Sequence, residues 1–426
     1  MAANTNPDLQ RSIIYSVFPR NHTQAGTLAA IIDDLPRIRS LGADIVWLMP
    51  IHPIGELHRK GSMGSPYANR DYRSIDPALG DMADLEALVE AAHEQGMRLI
   101  IDVVYNHTSP DSTLWREHPE FFWKKADGTP GNHVGDWSDI IDLDYTVPEL
   151  WDYQVESLVG WARVVDGFRC DVASFVPVEF WKRARAACEE VRPGCIWLAE
   201  SVHRHMGAWA RRTGLYSARD TEAYEAFDIE YEYDVERSFD GYLSGTTTLA
   251  HHLDLLEFQE SVYPDNYNKL RYLENHDLPR IASRVGSIDD LESHTAMLFF
   301  KKGTTLVYAG QEHALSHQPS LFDRDVIDWE AGHDLSELIR TLARIKHERL
   351  DCDDHFFARA AGEHTAVMER YGSAGHALGV FPLRSQSSTI EVELADGSYE
   401  NLIDGSDVKV AGGKLECAGR PIIICA

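Results

Sequence analysis

The apolar positions of this chain fall into short unbroken runs that alternate with longer stripes of helical period. Ile13 to Phe18 is such a run, closed by Pro19, and runs of this length bounded by breakers read as buried strands. After Thr27, a candidate helix cap, Leu28, Ile31, Ile32 and Leu35 recur at i, i+3, i+4 and i+7, the stripe of an amphipathic helix. Pro36 must break or kink that helix and Gly42 ends it, because proline lacks the amide donor and glycine accepts the left-handed cap. The strand Asp44–Met49 follows, then a Gly-, Ser- and Pro-rich loop to Tyr72. Leu85, Leu88, Val89 and Ala92 repeat the stripe between a cap at Asp81 and a stop at Gly96, and Arg98–Tyr105 reads as a third strand.

Three such units in a row predict a parallel sheet. The pattern then lapses over residues 108–147, which carry Pro, Gly, Trp, His and Asp without sustained period. That is too long for an ordinary connection and reads as a small inserted subdomain. Alternation resumes with a helix over 149–164 and the strand Val165–Asp171, then a helix near 178–191 and the strand Cys195–Ala199. A helix near 205–212 precedes a weaker strand, Ala226–Ile229; a helical stretch near 248–259 precedes the strand Lys269–Leu273. The helix Leu291–Lys301, the strand Thr304–Tyr308 and a helix with Leu335, Leu338, Ile339 and Leu342 on one face complete the series. Eight strands, each followed by a helix, predict an α/β fold, a (β/α)8 TIM barrel. After Asp354 come short alternating strands with Gly-Ser and Asp-Gly turns, such as Thr389–Leu394, the texture of a C-terminal antiparallel β-sandwich domain. The expected organisation is a barrel in two parts, 1–107 and 148–350, the inserted subdomain 108–147 after strand three, and the β domain 351–426.

Composition narrows the function classes. With 40 Lys+Arg against 68 Asp+Glu the net charge is −28, which argues against nucleic-acid or anionic-membrane partners. No run approaches the ~18 apolar residues of a membrane span, and the first ten residues lack the basic and apolar regions of a signal peptide. Cys170, Cys188, Cys195, Cys352, Cys417 and Cys425 form no CxxC pair and no metal spacing. The expectation is reduced cysteines and a cytoplasmic location.

Chemistry concentrates at strand ends. In Val165–Asp171, Arg169 and Asp171 stand two apart and so share a strand face. Arg169 keeps Asp171 ionised, which suits either a structural ion pair or a nucleophile. The other strand ends read Asp102-Val-Val-Tyr-Asn-His107, Leu198-Ala-Glu200 and Glu274-Asn-His-Asp277. In a (β/α)8 barrel these ends form one rim, where active sites sit.

These four stretches resemble the four motifs of the α-amylase superfamily, glycoside hydrolase family 13. Gly42-Ala-Asp-Ile-Val-Trp47 with Pro50, Asp142-Leu-Asp144, Tyr67-Ala-Asn-Arg-Asp-Tyr72 and Tyr308-Ala-Gly-Gln-Glu312 also match. The resemblance implies a retaining hydrolase of α-glucosidic, mainly α-1,4, bonds in maltooligosaccharides or α-glucans. Asp171 is then the nucleophile, Glu200 the acid/base and Asp277 the stabiliser of the oxocarbenium-like transition state. Tyr67, His107, Arg169 and His276 are then the substrate-binding residues: the histidines bind sugar hydroxyls, Tyr67 offers a platform, and Arg169 also supports Asp171. The same site with a sugar acceptor makes a glucanotransferase, the alternative reading. Trp115, Trp123 and Trp137 are expected in the aromatic core of the insertion, and Asn106 as a brace for the loop after strand three. Ser174 and Phe175 stand where many α-amylases have Lys-His, and the Asp-rich loop of some relatives is missing after strand one, so no essential metal and no cofactor are expected.

Overall fold

The computed structural model describes residues 2, 5–351, 355–373 and 375–426. Eight parallel strands close into a barrel: β1 (Ile13–Val17), β2 (Ile45–Leu48), β3 (Arg98–Val103), β4 (Gly167–Cys170), β5 (Ile196–Ala199), β6 (Ile229–Tyr231), β7 (Lys269–Arg271) and β8 (Thr304–Tyr308). Each strand pairs with the next, and β8 closes on β1 through the register Ile13–Thr305 to Ser16–Tyr308. Successive side chains point alternately inward and outward, and in β1, β2, β3, β5 and β8 both directions are largely apolar. Ile14, Ile45, Trp47, Ile100, Ile196, Leu198 and Leu306 fill the barrel, while Ile13, Tyr15, Val46, Leu48, Leu99 and Ile101 pack under the helices. Burial on both faces is why these strands read as unbroken apolar runs.

The expected helix over Leu28–Leu35 is two, Leu28–Ile32 and Leu35–Ser40, with Pro36 in the first turn of the second, where its missing donor costs nothing. The strand expected at Ala226–Ile229 instead runs Ile229–Tyr231. Its outward residue is Glu230, fully buried and 3.4 Å from Lys269. Ion pairs occupy the outward face of β6 and its neighbour β7, so the apolar signal for β6 fell a few residues early.

Residues 108–147 form a compact excursion with a short helix (Thr113–Glu117) and a two-residue antiparallel pairing of His107–Thr108 with Ile141–Asp142. Beyond the barrel, His355–Ala360, Thr365–Gly372, Gly375–Pro382 and Ile422–Cys425 form one antiparallel sheet. Ser388–Glu391, Lys414–Cys417, Asp407–Ala411 and Gly397–Glu400 form a second, and the two pack through Val367, Val380 and Ile424 against Ile390, Val410 and Leu415. Cys170, Cys188, Cys195 and Cys417 are free and buried; Cys352 lies outside the described residues.

Candidate active site

The site grows from the inner face of β3 and β4. Asp102 and Arg169 are register partners, and Arg169 Nη1 donates to Asp102 Oδ1 at 3.0 Å and to Asp171 Oδ1 at 2.9 Å. Nη2 lies 3.1 Å from Glu200 Oε2. One fully buried guanidinium thus touches three buried carboxyl groups, and its plane is ringed by Trp47, Tyr67 and Tyr231 at 5.3, 5.5 and 5.4 Å.

Asp171 follows β4 directly, and its backbone N–H donates to Val103 O at 2.9 Å. Glu200 follows β5, and its N–H donates to Cys170 O at 3.0 Å. Strand hydrogen bonding therefore sets the position of both carboxyl groups. Between them Val172 takes a left-handed conformation, φ 36°, rare for a β-branched residue. The turn aims Val172 N–H at Glu200 Oε2, 2.8 Å away.

Tyr67 stacks on His276 at 5.4 Å and 19°. Its hydroxyl donates to Asp102 Oδ2 at 3.1 Å and lies 2.7 Å from His276 Nε2. His276 Nε2 is 3.2 Å from Asp277, whose side chain is 43% exposed. His107 Nε2 is 4.0 Å from Asp171 Oδ2, and Asn106 Nδ2 contacts His107 Nδ1 at 3.1 Å. Tyr67, His107, Asp171, Glu200, His276 and Asp277 all line one cavity of about 220 Å³; Arg169, expected to bind substrate, is instead fully buried beneath it and reaches the cavity only through the carboxyl groups it holds.

Burial sets the proton affinities. It pushes the Glu200 carboxyl up to about 8, reinforced by Asp171 and Asp277 and opposed by Arg169. Asp102 and Asp171 are pushed up to about 7 by the same burial, against the pull of Arg169. Burial lowers His276 to about 4 and also lowers His107, so both imidazoles are neutral near pH 7. With one cation for three buried carboxyl groups the cluster keeps a proton, and Glu200 holds it most tightly.

Several site residues were not singled out from sequence. Asp102 carries the Tyr67 and Arg169 contacts, and its signal was a carboxylate inside the apolar run of β3. Tyr233, whose hydroxyl is 3.5 Å from Glu200 Oε1, and Val172 gave no periodic signal. Trp137 corrects the expectation of a core residue: it is half-exposed, lines the catalytic cavity and lies 5.7 Å from the His107 ring. It sits in an irregular loop whose position only the fold decides. Trp115 does pack inward, edge-on to Phe122 at 5.3 Å, while Trp123 lies 4.0 Å from His133 on the wall of a second cavity. Among the described residues no group of three or more His, Cys, Asp or Glu is placed to hold a metal ion, and no helix is long and apolar enough to cross a membrane.

A parallel barrel whose carboxyl rim gathers buried carboxyl groups, one guanidinium and two neutral histidines defines a barrel enzyme that works by carboxyl chemistry. The family model for the alpha amylase catalytic domain matches residues 12–137 and 133–356, and that for the bacterial alpha amylase C-terminal domain matches residues 357–424. The chain belongs to the alpha-amylase family. It is similar to the crystal structure of an alpha-amylase from Lactobacillus plantarum, at 43% identity, TM-score 0.95, over 98% of this chain and 99% of that one. It is also similar to that of a noncanonic maltogenic alpha-amylase from Thermotoga neapolitana, at 31% identity, TM-score 0.87, over 98% and 99%. An alpha-1,4-glucan:maltose-1-phosphate maltosyltransferase from Pseudomonas aeruginosa is 34% identical over 45% of this chain, and the match spans 32% of that protein.

Proposed function

We propose that the protein is a retaining glycosidase that hydrolyses α-1,4-glucosidic bonds in maltooligosaccharides or α-glucans. The observation that carries this reading is the shared guanidinium: Arg169 holds Asp171 at 2.9 Å and Glu200 at 3.1 Å, one carboxyl poised as anion and the other as acid. Asp171 Oδ1 is engaged by Arg169, which leaves Oδ2 to attack the anomeric carbon. As that bond forms, the bond to the leaving oxygen breaks and Glu200 gives its proton to that oxygen. Oε2 of Glu200 accepts from Val172 N–H, so the proton sits on Oε1. The Glu200 carboxylate then takes a proton from water, whose oxygen displaces Asp171 and regenerates the α-anomer.

Asp277, open to the cavity, takes the hydroxyls next to the anomeric carbon and favours the positive charge of the transition state. His107 and His276 bind hydroxyls of the same ring as neutral partners. Tyr67 supplies a ring face and, through Asp102, fixes Arg169. Every step uses side chains of this chain and calls for no metal. We place the protein in the cytoplasm, a reading supported by the free, buried thiols of Cys170, Cys188, Cys195 and Cys417. Transfer to a sugar acceptor is the second reading, favoured by the similarity to the maltosyltransferase, and it appears as products longer than the substrate.

The test is made on maltotetraose and an activated α-glucoside. Glu200→Gln is expected to lower turnover by about 10²–10⁴-fold. Azide should restore turnover of the activated substrate by Glu200→Ala with α-glycosyl azide as product, and by Asp171→Ala with β-glycosyl azide. Undiminished hydrolysis by Glu200→Gln, or a β-anomer as first product of the parent enzyme, overturns the assignment.

A further inference from the structure

The cavity that holds the catalytic carboxyl groups also contains Lys60, Asp139 and Phe322, which come from three different loops. Lys60, in the loop after β2, pairs with Asp139 of the insertion at 2.8 Å. Its ammonium also donates to Asp136 O at 3.2 Å and stands 6.0 Å from the Phe322 ring. The Asp139 side chain is only 5% exposed, so this pair is partly dry and held in place. Phe322 lies in the loop after β8. That loop is fastened to the β2 loop: Ser62 N and Oγ both donate to Asp323 Oδ1, at 2.9 and 2.7 Å, and Met63 N donates to Phe322 O at 2.8 Å.

The chemistry tells which end of the substrate this wall meets. The proton of Glu200 goes to the leaving oxygen, so the departing part of the chain extends past Glu200. The ring that is attacked lies among Asp171, Asp277, Tyr67 and His107. The wall continues directly from those residues: Leu321 packs against the cluster that includes Tyr67, and Trp137 is the neighbour of His107. Glu200 instead adjoins Tyr233, whose ring has His203 at 4.1 Å. The wall with Lys60, Asp139 and Phe322 therefore lies on the non-reducing side. At this end the Lys60–Asp139 pair ties the loop after β2 to the insertion across the cavity, in the path a longer glycone would take.

We propose that the Lys60–Asp139 bridge, backed by Phe322, is a stop that limits the site to substrates with a free non-reducing end, from which the enzyme releases one product of fixed short length. This rests on the assignment of Asp171 and Glu200 given above. Lys60 and Asp139 also face the terminal hydroxyls of the bound chain, as one donor and one acceptor.

The experiment compares maltoheptaose aryl glycoside with the same substrate carrying a 4,6-O-ethylidene block on its non-reducing sugar. The parent enzyme should cleave the free substrate to one short product from the first time point and the blocked one at least a hundredfold more slowly. Lys60→Ala should cleave the blocked substrate at least tenfold faster than the parent does, with mixed product lengths. Exchanging the charges, Lys60→Asp with Asp139→Lys, should restore discrimination. Equal cleavage of both substrates by the parent, with mixed products, overturns the stop and leaves the catalytic assignment standing. Cleavage of neither overturns both.

Discussion

Charge counting decides what Asp102, Asp171 and Glu200 do around the single guanidinium of Arg169. In the folded protein all three bind protons more tightly than free carboxyl groups, because burial outweighs Arg169. A folded pKa above the unfolded one contributes stability that is full below the unfolded value, near 4, and lost as pH rises through the folded value. The stability of the cluster therefore drains away up to about 8, the value of Glu200. Glu200→Gln keeps the shape and removes the ionisation. We expect it to be more stable than the parent at pH 9 by about 1–3 kcal/mol, with the difference shrinking toward pH 5, where Glu200 is already neutral. Calorimetry at the two pH values checks this, and a difference independent of pH would show that Glu200 does not retain its proton. The same arithmetic predicts that activity falls as pH rises through about 8, when the acid loses its proton.

Elements place these groups through backbone hydrogen bonds, and the sharpest demand falls on Val172. Asp171 N–H is tied to Val103 O and Ala173 N–H to Glu200 O, both at 2.9 Å, so the residue between them must turn through the left-handed region at φ 36°. Such backbone costs about 1–3 kcal/mol. Glycine relieves it at about 0.5–1 kcal/mol of chain entropy, so Val172→Gly should come out near 1 kcal/mol more stable by urea unfolding. A loss of stability would mean that the buried isopropyl group contributes more than the turn costs. Legibility followed the same division between strands and loops. Seven strands were readable from apolar runs, clearest in β1, β2, β3, β5 and β8, where both faces carry apolar side chains, and the eighth, β6, was displaced because Glu230, paired with Lys269, occupies its outer face. Asp171 and Glu200 were legible because they sit directly at strand ends. Lys60, Trp137 and Phe322 were not, since they lie in loops without period and meet only when barrel and insertion are folded.

The whole molecule joins the barrel to the β domain through the helix Ile288–Phe300, whose last eight residues are all buried. A helix apolar on every side must be covered on every side, and the outer cover is the strand Gly375–Pro382. Phe300 and Phe381 meet at 5.5 Å, Arg370 Nη1 donates to Phe300 O at 3.2 Å, and Ser385 Oγ donates to Asp290 Oδ1 at 2.6 Å. Because this helix leads into β8, loosening the β domain should loosen the barrel. All 10 tryptophans precede residue 351, so their fluorescence reports on the barrel and insertion alone, while calorimetry sees the entire chain. Phe381→Ala, far from the catalytic cavity, removes a buried ring at a cost of about 3–5 kcal/mol. Its thermal transition should shift down by the same amount in fluorescence as in calorimetry, because the two parts unfold as one cooperative unit. A fluorescence transition left at the parent temperature, beside a lowered calorimetric peak, would show instead that the β domain melts alone and that the buried helix end is stable without its cover.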